Sequence, residues 1–260
     1  MRPNTVKRRF REGLPTAVGW QSTPDPYVAE TMAQAGFDAL VLDMQHGMGI
    51  GPDRAAQWLQ VVSTTEVMPI VRVPWNEPVF IQWVLDAGAY GVIVPLVNTY
   101  EEAAKAGGAC RYAPLGFRSV GPNRARYYAG PDYTQHANEE ILCLVMVEHP
   151  DTVGRVHELA KAPGIDGFYI GPSDLAVAMG VSQQDPRHAE ACQRVLGAAN
   201  AAGLMAGIHC GSAEQAAQRF EQGFRFCPIG SDIGFVSAGA RAALERLGRT
   251  PGRVGGGPYG

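Results

Sequence analysis

Eight short runs of apolar and β-branched residues, at 16–20, 39–43, 69–73, 91–95, 141–148, 167–171, 205–209 and 226–230, alternate with longer segments of helical period. Such alternation builds a parallel sheet, because each strand needs a helical crossover to return to the same end. Most of the runs are apolar at every position, so neither face of those strands meets water. A (β/α)8 barrel of about 250 residues satisfies all three constraints. The 260-residue chain therefore predicts one α/β TIM-barrel domain over 1–260.

Helix punctuation falls between the runs. Asp25 caps and Pro26 opens one helix that Gly36 closes, Pro78 opens another that Gly88 closes, and Thr99 with Glu102 forms a capping box. The stretch 111–140, rich in Pro, Gly, Arg and Tyr, is expected to be a long loop or lid over one barrel end. Residues 248–260, rich in Gly and Pro, are expected to fray.

Charge and composition exclude several partners. With 22 Lys and Arg against 25 Asp and Glu, and no basic run beyond residues 7–11, nothing predicts a nucleic-acid footprint. No stretch approaches the roughly 18 apolar residues of a membrane span, and no apolar signal core follows the basic N-terminus. The five cysteines are scattered without metal-ligand spacing and read as reduced, buried thiols. A cytoplasmic protein acting on a small solute is expected.

Reactive groups of barrel enzymes lie at the C-terminal ends of the strands, so polar residues that terminate apolar runs are the candidates. Trp20 and Gln21 end the first run, Asp43-Met44-Gln45-His46-Gly47 the second, Arg72 the third, Glu148-His149 the fifth and Gly171-Pro172-Ser173-Asp174 the sixth. Two carboxylates at the ends of neighbouring strands, Glu148 and Asp174, repel unless a proton or cation separates them. A hard divalent cation such as Mg2+ or Mn2+ fits and keeps positions open for a chelating substrate; alternatively Asp174 caps the following helix. Asp43 and His46 are close enough for the carboxylate to orient the imidazole as an acid/base dyad, or for Asp43 simply to hold turn amides. Arg72 sits in a strand too apolar to leave it unpaired, so it meets a carboxylate of the protein or of an anionic substrate. His209 reads as a satisfied barrel histidine.

Lysine usage separates two routes for aldol chemistry on a 2-oxo acid, a Schiff base or a metal-held enolate. The three lysines are Lys7 before the first strand, Lys105 in a helix and Lys161 at a helix end. None is placed at a strand C-terminus, which argues against the Schiff base.

The chain resembles the metal-dependent HpcH/HpaI aldolases over nearly its whole length. The likeness rests on Gly19-Trp20, Asp43 and His46 before Gly47, Val71-Arg72-Val73-Pro74, Leu85-Asp86-Ala87-Gly88-Ala89 with Val94-Pro95, Tyr112-Ala113-Pro114 with Gly116 and Arg118, and Gly171-Pro172-Ser173-Asp174-Leu175 with Met179-Gly180. The resemblance implies reversible cleavage of a 4-hydroxy-2-oxo acid to pyruvate and an aldehyde. It implies a divalent cation (Mg2+, Mn2+ or Co2+) on Glu148 and Asp174, and Arg72 steadying the enolate. It further implies the Asp43–His46 dyad moving the proton, Trp20 walling the pocket, and amides near Ser173 and Asp174 holding the pyruvate carboxylate. A homohexamer, a trimer of dimers that exchange their last helix, is implied as well. The chain departs from the family pattern at Gln45, where many relatives carry Glu, at Met146, where they carry Gln, and at Leu115, where they carry Arg. Alternatives are a lyase of a related barrel acting on a CoA thioester, and a non-catalytic 2-oxo-acid-binding protein.

Overall fold

The computed structural model describes residues 1–249. Its eight strands are β1 (Thr16–Gln21), β2 (Ala39–Asp43), β3 (Met68–Arg72), β4 (Gly91–Val94), β5 (Leu142–Val147), β6 (Gly167–Ile170), β7 (Met205–Ile208) and β8 (Phe226–Ser231). They pair in sequence order, all parallel, and β8 returns to β1 to close the barrel. Every residue of β2 to β7 is buried, as the uniform hydrophobicity of those runs requires. Each expected strand lies within a residue or two of its observed limits.

Helices follow the punctuation. α1 (Thr5–Arg11) precedes the barrel, and α2 (Pro26–Ala33), α3 (Pro52–Val62), α4 (Pro78–Asp86) and α5 (Tyr100–Cys110) cover the first four crossovers. The Asp25 side chain caps α2, and the Thr99–Glu102 capping box opens α5. Beyond come α6 (Ala125–Ala129), α7 (Tyr133–Glu140), α8 (Pro150–Leu159), α9 (Pro172–Met179), α10 (Pro186–Ala201), α11 (Ala213–Gln222) and α12 (Asp232–Arg246). The expected fraying of 248–260 lies almost wholly outside the described residues.

The segment 111–140 differs from the expected loop. It contains α6 and α7, and it joins the end of α5 to the start of β5, which puts it at the N-terminal end of the barrel, away from the strand ends that carry Asp43 and Glu148. Arg118 anchors it from within: this buried guanidinium bonds Asp86 at 2.7 Å and the Tyr133 hydroxyl at 3.0 Å and lies over the Tyr112 ring at 4.6 Å. Arg124 donates to the carbonyls of Ala87 and Leu59 and to Ser63. The N-terminus covers the same end. The Asn4 amide reaches the Tyr90 and Glu140 carbonyls, and Lys7 bonds the Ile141 carbonyl and Asp166. These segments cover the N-terminal end of the barrel, and the polar residues that end the strands lie at the other.

No helix among the described residues is long and apolar enough to cross a membrane.

Candidate active site

Asp43 and Arg72 end β2 and β3 directly opposite each other. The guanidinium meets the carboxylate as a fork, Nε to Oδ1 at 2.8 Å and Nη2 to Oδ2 at 2.5 Å. Asp43 Oδ1 also accepts the backbone N–H groups of Gln45 (3.0 Å) and His46 (3.1 Å), and Oδ2 accepts the Trp20 indole N–H at 3.4 Å. Burial alone pushes this carboxyl up, but Arg72 and the two amides outweigh it and hold Asp43 below its ordinary value. Both side chains are almost fully enclosed, at 2% and 3% exposure.

The turn after β2 is tight enough to require glycine. A Cβ on Gly47 would lie 2.1 Å from the Asp43 carbonyl oxygen, to which the Gly47 N–H donates. The turn leaves His46 exposed. The bond from Asp43 to His46 is to its backbone, and no hydrogen bond from the imidazole to Asp43 is present among the described residues. Of the two roles open to Asp43 in the sequence, the amide-holding one is realised, and the orienting contact of the expected dyad is replaced by Arg72.

Trp20 lies between this ion pair and an aromatic layer. The Arg72 guanidinium carbon stands 4.9 Å from the Trp20 ring centroid, a cation–π contact. Tyr169 of β6 stacks on Trp20 at 5.9 Å with 16° between the planes, and the His209 ring meets it edge-on at 4.8 Å. The Tyr169 hydroxyl and His209 Nδ1 are 2.8 Å apart. Loss of solvent, and next the nearby Arg72 charge, push His209 down to about 3, so the ring is neutral.

Glu148 follows β5 and is 6% exposed. Its Oε1 accepts the Leu96 N–H at 2.7 Å. Leu96 holds φ +55°, a left-handed conformation unusual for a side-chain-bearing residue, and strain of this kind collects at functional sites. The other oxygen lies beside Gly171, where an added Cβ would stand 3.0 Å from it. Burial first, and then the charge of Asp174, push Glu148 above the ordinary carboxylate value, while the Leu96 N–H and Arg72 oppose the rise. Glu148, Asp174 and Arg72 therefore share one electrostatic neighbourhood.

Asp174 stands exposed in the first turn of α9, whose N-cap is Gly171 with no side-chain cap bond. The helix-capping alternative for Asp174 is thus set aside. The opening turn of α9 has N–H groups at Ser173 and Asp174 with no acceptor inside the helix, as every helix start does. Ser173 Oγ accepts the Gln183 side-chain amide at 3.0 Å.

The donor set suits a hard divalent cation: two carboxylates, one of them buried and carrying a charge its surroundings disfavour. The described residues hold no group of three or more His, Cys, Asp or Glu side chains arranged for a metal, so substrate and water would complete the coordination. The lysines stand elsewhere. Lys7 is at the covered end, Lys105 pairs with Glu77 on the helical layer, and Lys161 lies in the turn before β6.

The family model for HpcH/HpaI aldolase/citrate lyase matches residues 17–238. The chain belongs to this family. It is 37% identical over 245 residues to a hydroxypyruvate/pyruvate aldolase of Rhizorhabdus wittichii, covering 93% of this chain and 97% of that one. It is 34% identical over 251 residues to a 4-hydroxy-2-oxo-heptane-1,7-dioate aldolase of Salmonella dublin, covering 94% and 95%. Among solved structures, an HpcH/HpaI aldolase/citrate lyase family protein of Burkholderia cenocepacia superposes with a TM-score of 0.88 at 33% identity, covering 94% and 99%.

In this HpcH/HpaI protein two residues beside the site, Tyr169 and Leu96, carry no signal in the sequence. Tyr169 sits in the apolar run Gly-Phe-Tyr-Ile and reads as packing, yet it stands in register with Met146 on β5, two residues before Glu148. Leu96 has no sequence signature, since its positive φ comes from the loop it occupies. The family departures also have places: Met146 is 2% exposed beneath Gly171, and the Gln45 side-chain oxygen is buried without a hydrogen-bond partner among the described residues.

Proposed function

We propose that this protein is a divalent-metal-dependent pyruvate aldolase that reversibly cleaves a 4-hydroxy-2-oxo acid to pyruvate and an aldehyde. The observation that carries this reading is the placement of Glu148 beside Gly171, the N-cap of the helix whose first turn carries Asp174, at the C-terminal end of the barrel, in a chain whose relatives are named aldolases. Glu148 and Asp174 would hold the cation, Mg2+, Mn2+ or Co2+. When bound, it supplies Lewis-acid polarisation of the 2-oxo group and stabilises the negative charge of the enolate.

The chain's own residues do the rest. The amides of Ser173 and Asp174 at the start of α9 bind the 2-oxo acid's carboxylate, and Trp20 walls the pocket. His46 takes the proton of the 4-hydroxyl as the C3–C4 bond breaks. The oxygen's electron pair becomes the aldehyde carbonyl, and the pair from the broken bond is left on C3 as the enolate of pyruvate. Arg72, fixed by its fork to Asp43, steadies the charge on the enolate oxygen. Return of the proton to C3 completes pyruvate, and synthesis runs the same steps backwards.

The test is deuterium exchange at the pyruvate methyl group together with retro-aldol turnover, before and after exhaustive chelation. Both activities are expected to vanish with the metal and to return with Mg2+, Mn2+ or Co2+. Exchange that survives chelation overturns the metal role, and the absence of exchange in the metal-loaded protein favours a non-catalytic binder.

We also assign this aldolase to the cytoplasm and to a hexamer built from dimers that exchange α12. The support for assembly is the α12 surface, where Ile233 and Val236 are exposed and Phe235 is partly so.

A further inference from the structure

The Tyr169–His209 pair has no part in holding substrate or cation in the account above, yet it is a close polar contact, 2.8 Å long, beside Trp20. Tyr169 comes from β6 and His209 from the end of β7, and their 2.8 Å contact ties the two strands together on the side facing Trp20. Tyr169 covers one part of the indole in a near-parallel stack, and His209 blocks it at the edge. The indole in turn contacts the Arg72 guanidinium and donates its N–H to Asp43. A rotation of Trp20 therefore moves both partners of the Asp43–Arg72 fork.

We infer that Tyr169 and His209 are positioning residues for the aldol reaction: their mutual contact locks Trp20, and through Trp20 it aims the Arg72 guanidinium at the enolate oxygen. This rests on the pyruvate-aldolase reading. The imidazole suits the task because a neutral ring can bond a phenol without placing a second cation beside Arg72, which would compete for Asp43. Tight aim matters, since a donor misplaced by a fraction of an ångström loses much of its effect on a developing charge.

The test is a double-mutant cycle read by deuterium exchange into pyruvate with Mg2+ present. Tyr169→Phe keeps the stacked ring and removes the hydroxyl; it is expected to lower kcat about tenfold, with KM for pyruvate within about twofold. In an Arg72→Lys background the same change is expected to cost less than about twofold, because the fork that Tyr169 aims is already gone. Trp20→Phe should show the same dependence on Arg72. His209→Gln, which keeps a side chain able to bond the Tyr169 hydroxyl, should retain more activity than His209→Phe. Thermal melts accompany each variant. Effects that add fully across the cycle, a kcat unchanged in Tyr169→Phe, or losses that track a fall in Tm overturn the inference. Exchange by the unmodified, metal-loaded protein is the control: its absence overturns the proposed function, whereas its presence with additive variants overturns only this inference. Should Tyr169→Phe fail to fold, the His209→Gln and His209→Phe pair in both Arg72 backgrounds decides by the same criterion.

Discussion

Asp43 and Arg72 face each other in register across β2 and β3, and the two-pronged contact between them satisfies most of the Asp43 carboxylate before any substrate arrives. Arg72 is therefore pre-aimed, and a planar fork is needed to keep it so. Arg72→Lys retains the charge but loses one of two charge-assisted bonds. It is expected to cost roughly 2 kcal/mol of stability, near 5 °C in Tm, and to lower kcat about a hundredfold. Steady-state kinetics beside a thermal melt check both numbers. Unchanged turnover removes Arg72 from the reaction.

His46 invites the opposite pattern. It is exposed on the turn after β2, and its structural tie to Asp43 runs through the backbone, which an alanine keeps. His46→Ala is expected to leave Tm within about 2 °C, as surface changes do. Loss of a general base lowers kcat by about 10²- to 10⁴-fold. Retro-aldol rates separate the two effects, and a variant with full turnover returns the proton-transfer role to another group.

Glu148 sets the pH behaviour. Its folded pKa is raised above the ordinary carboxylate value, so the metal-free folded chain binds this proton more readily than the unfolded chain does. For this group the sign is that stability without metal rises as pH falls through the raised pKa, and that ionised Glu148 costs stability above it. Chelated Glu148→Gln should thus melt no lower than the unmodified protein at pH 7 to 8. Proton and cation compete, so the Mg2+ concentration giving half-maximal activity should climb as pH drops below the Glu148 value, by up to about tenfold per unit. Saturating cation at about 100 times its Kd should add about 2.7 kcal/mol to the unmodified protein and nothing to the variant. Equal metal-induced shifts in both proteins would dismiss Glu148 as a ligand.

These residues differ in how far the sequence exposes them. The strands were legible because parallel strands covered on both faces are apolar throughout, and Asp43, Arg72, Glu148 and Asp174 were legible because each breaks such a run at its end. The partner of Asp43 was not. Spacing along the chain favours His46, three residues on, whereas the register of β2 against β3 brings Arg72 closer, and register is a property of the closed barrel. The segment 111–140 was legible only in part, for a related reason. Its Pro, Gly, Arg and Tyr content describes a surface connection, but which barrel end it covers follows from its joining a helix to a strand, and α6 and α7 depend on the distant anchors Asp86 and Ala87. Tyr169 was hidden by its apolar neighbours, since a hydroxyl inside a strand shows its purpose only when its partner, here His209, is in place.

α12 supplies the remaining prediction. Asp232 fixes its start by accepting the N–H groups of Ser22 and Thr23 and the Thr23 hydroxyl, and it is the one buried residue of this helix. Past that anchor, Ile233, Phe235 and Val236 are 53%, 42% and 66% exposed. An outer helix of a barrel ordinarily buries its apolar stripe on its own strands, so a helix that packs Phe235 on Phe37 at 6.1 Å between ring centroids yet leaves Ile233 and Val236 more than half exposed is suited to a second copy of the chain. Analytical ultracentrifugation is expected to give a species several times the 27.8 kDa chain mass, six-fold for a trimer of dimers. Ile233→Asp combined with Val236→Asp places two charges on that surface, which costs little in a lone chain and several kcal/mol in a buried contact. The variant should sediment as a smaller species with an unchanged far-ultraviolet circular dichroism spectrum. A single-chain mass for the unmodified protein, or an assembly indifferent to both charges, would show that α12 is not where copies meet.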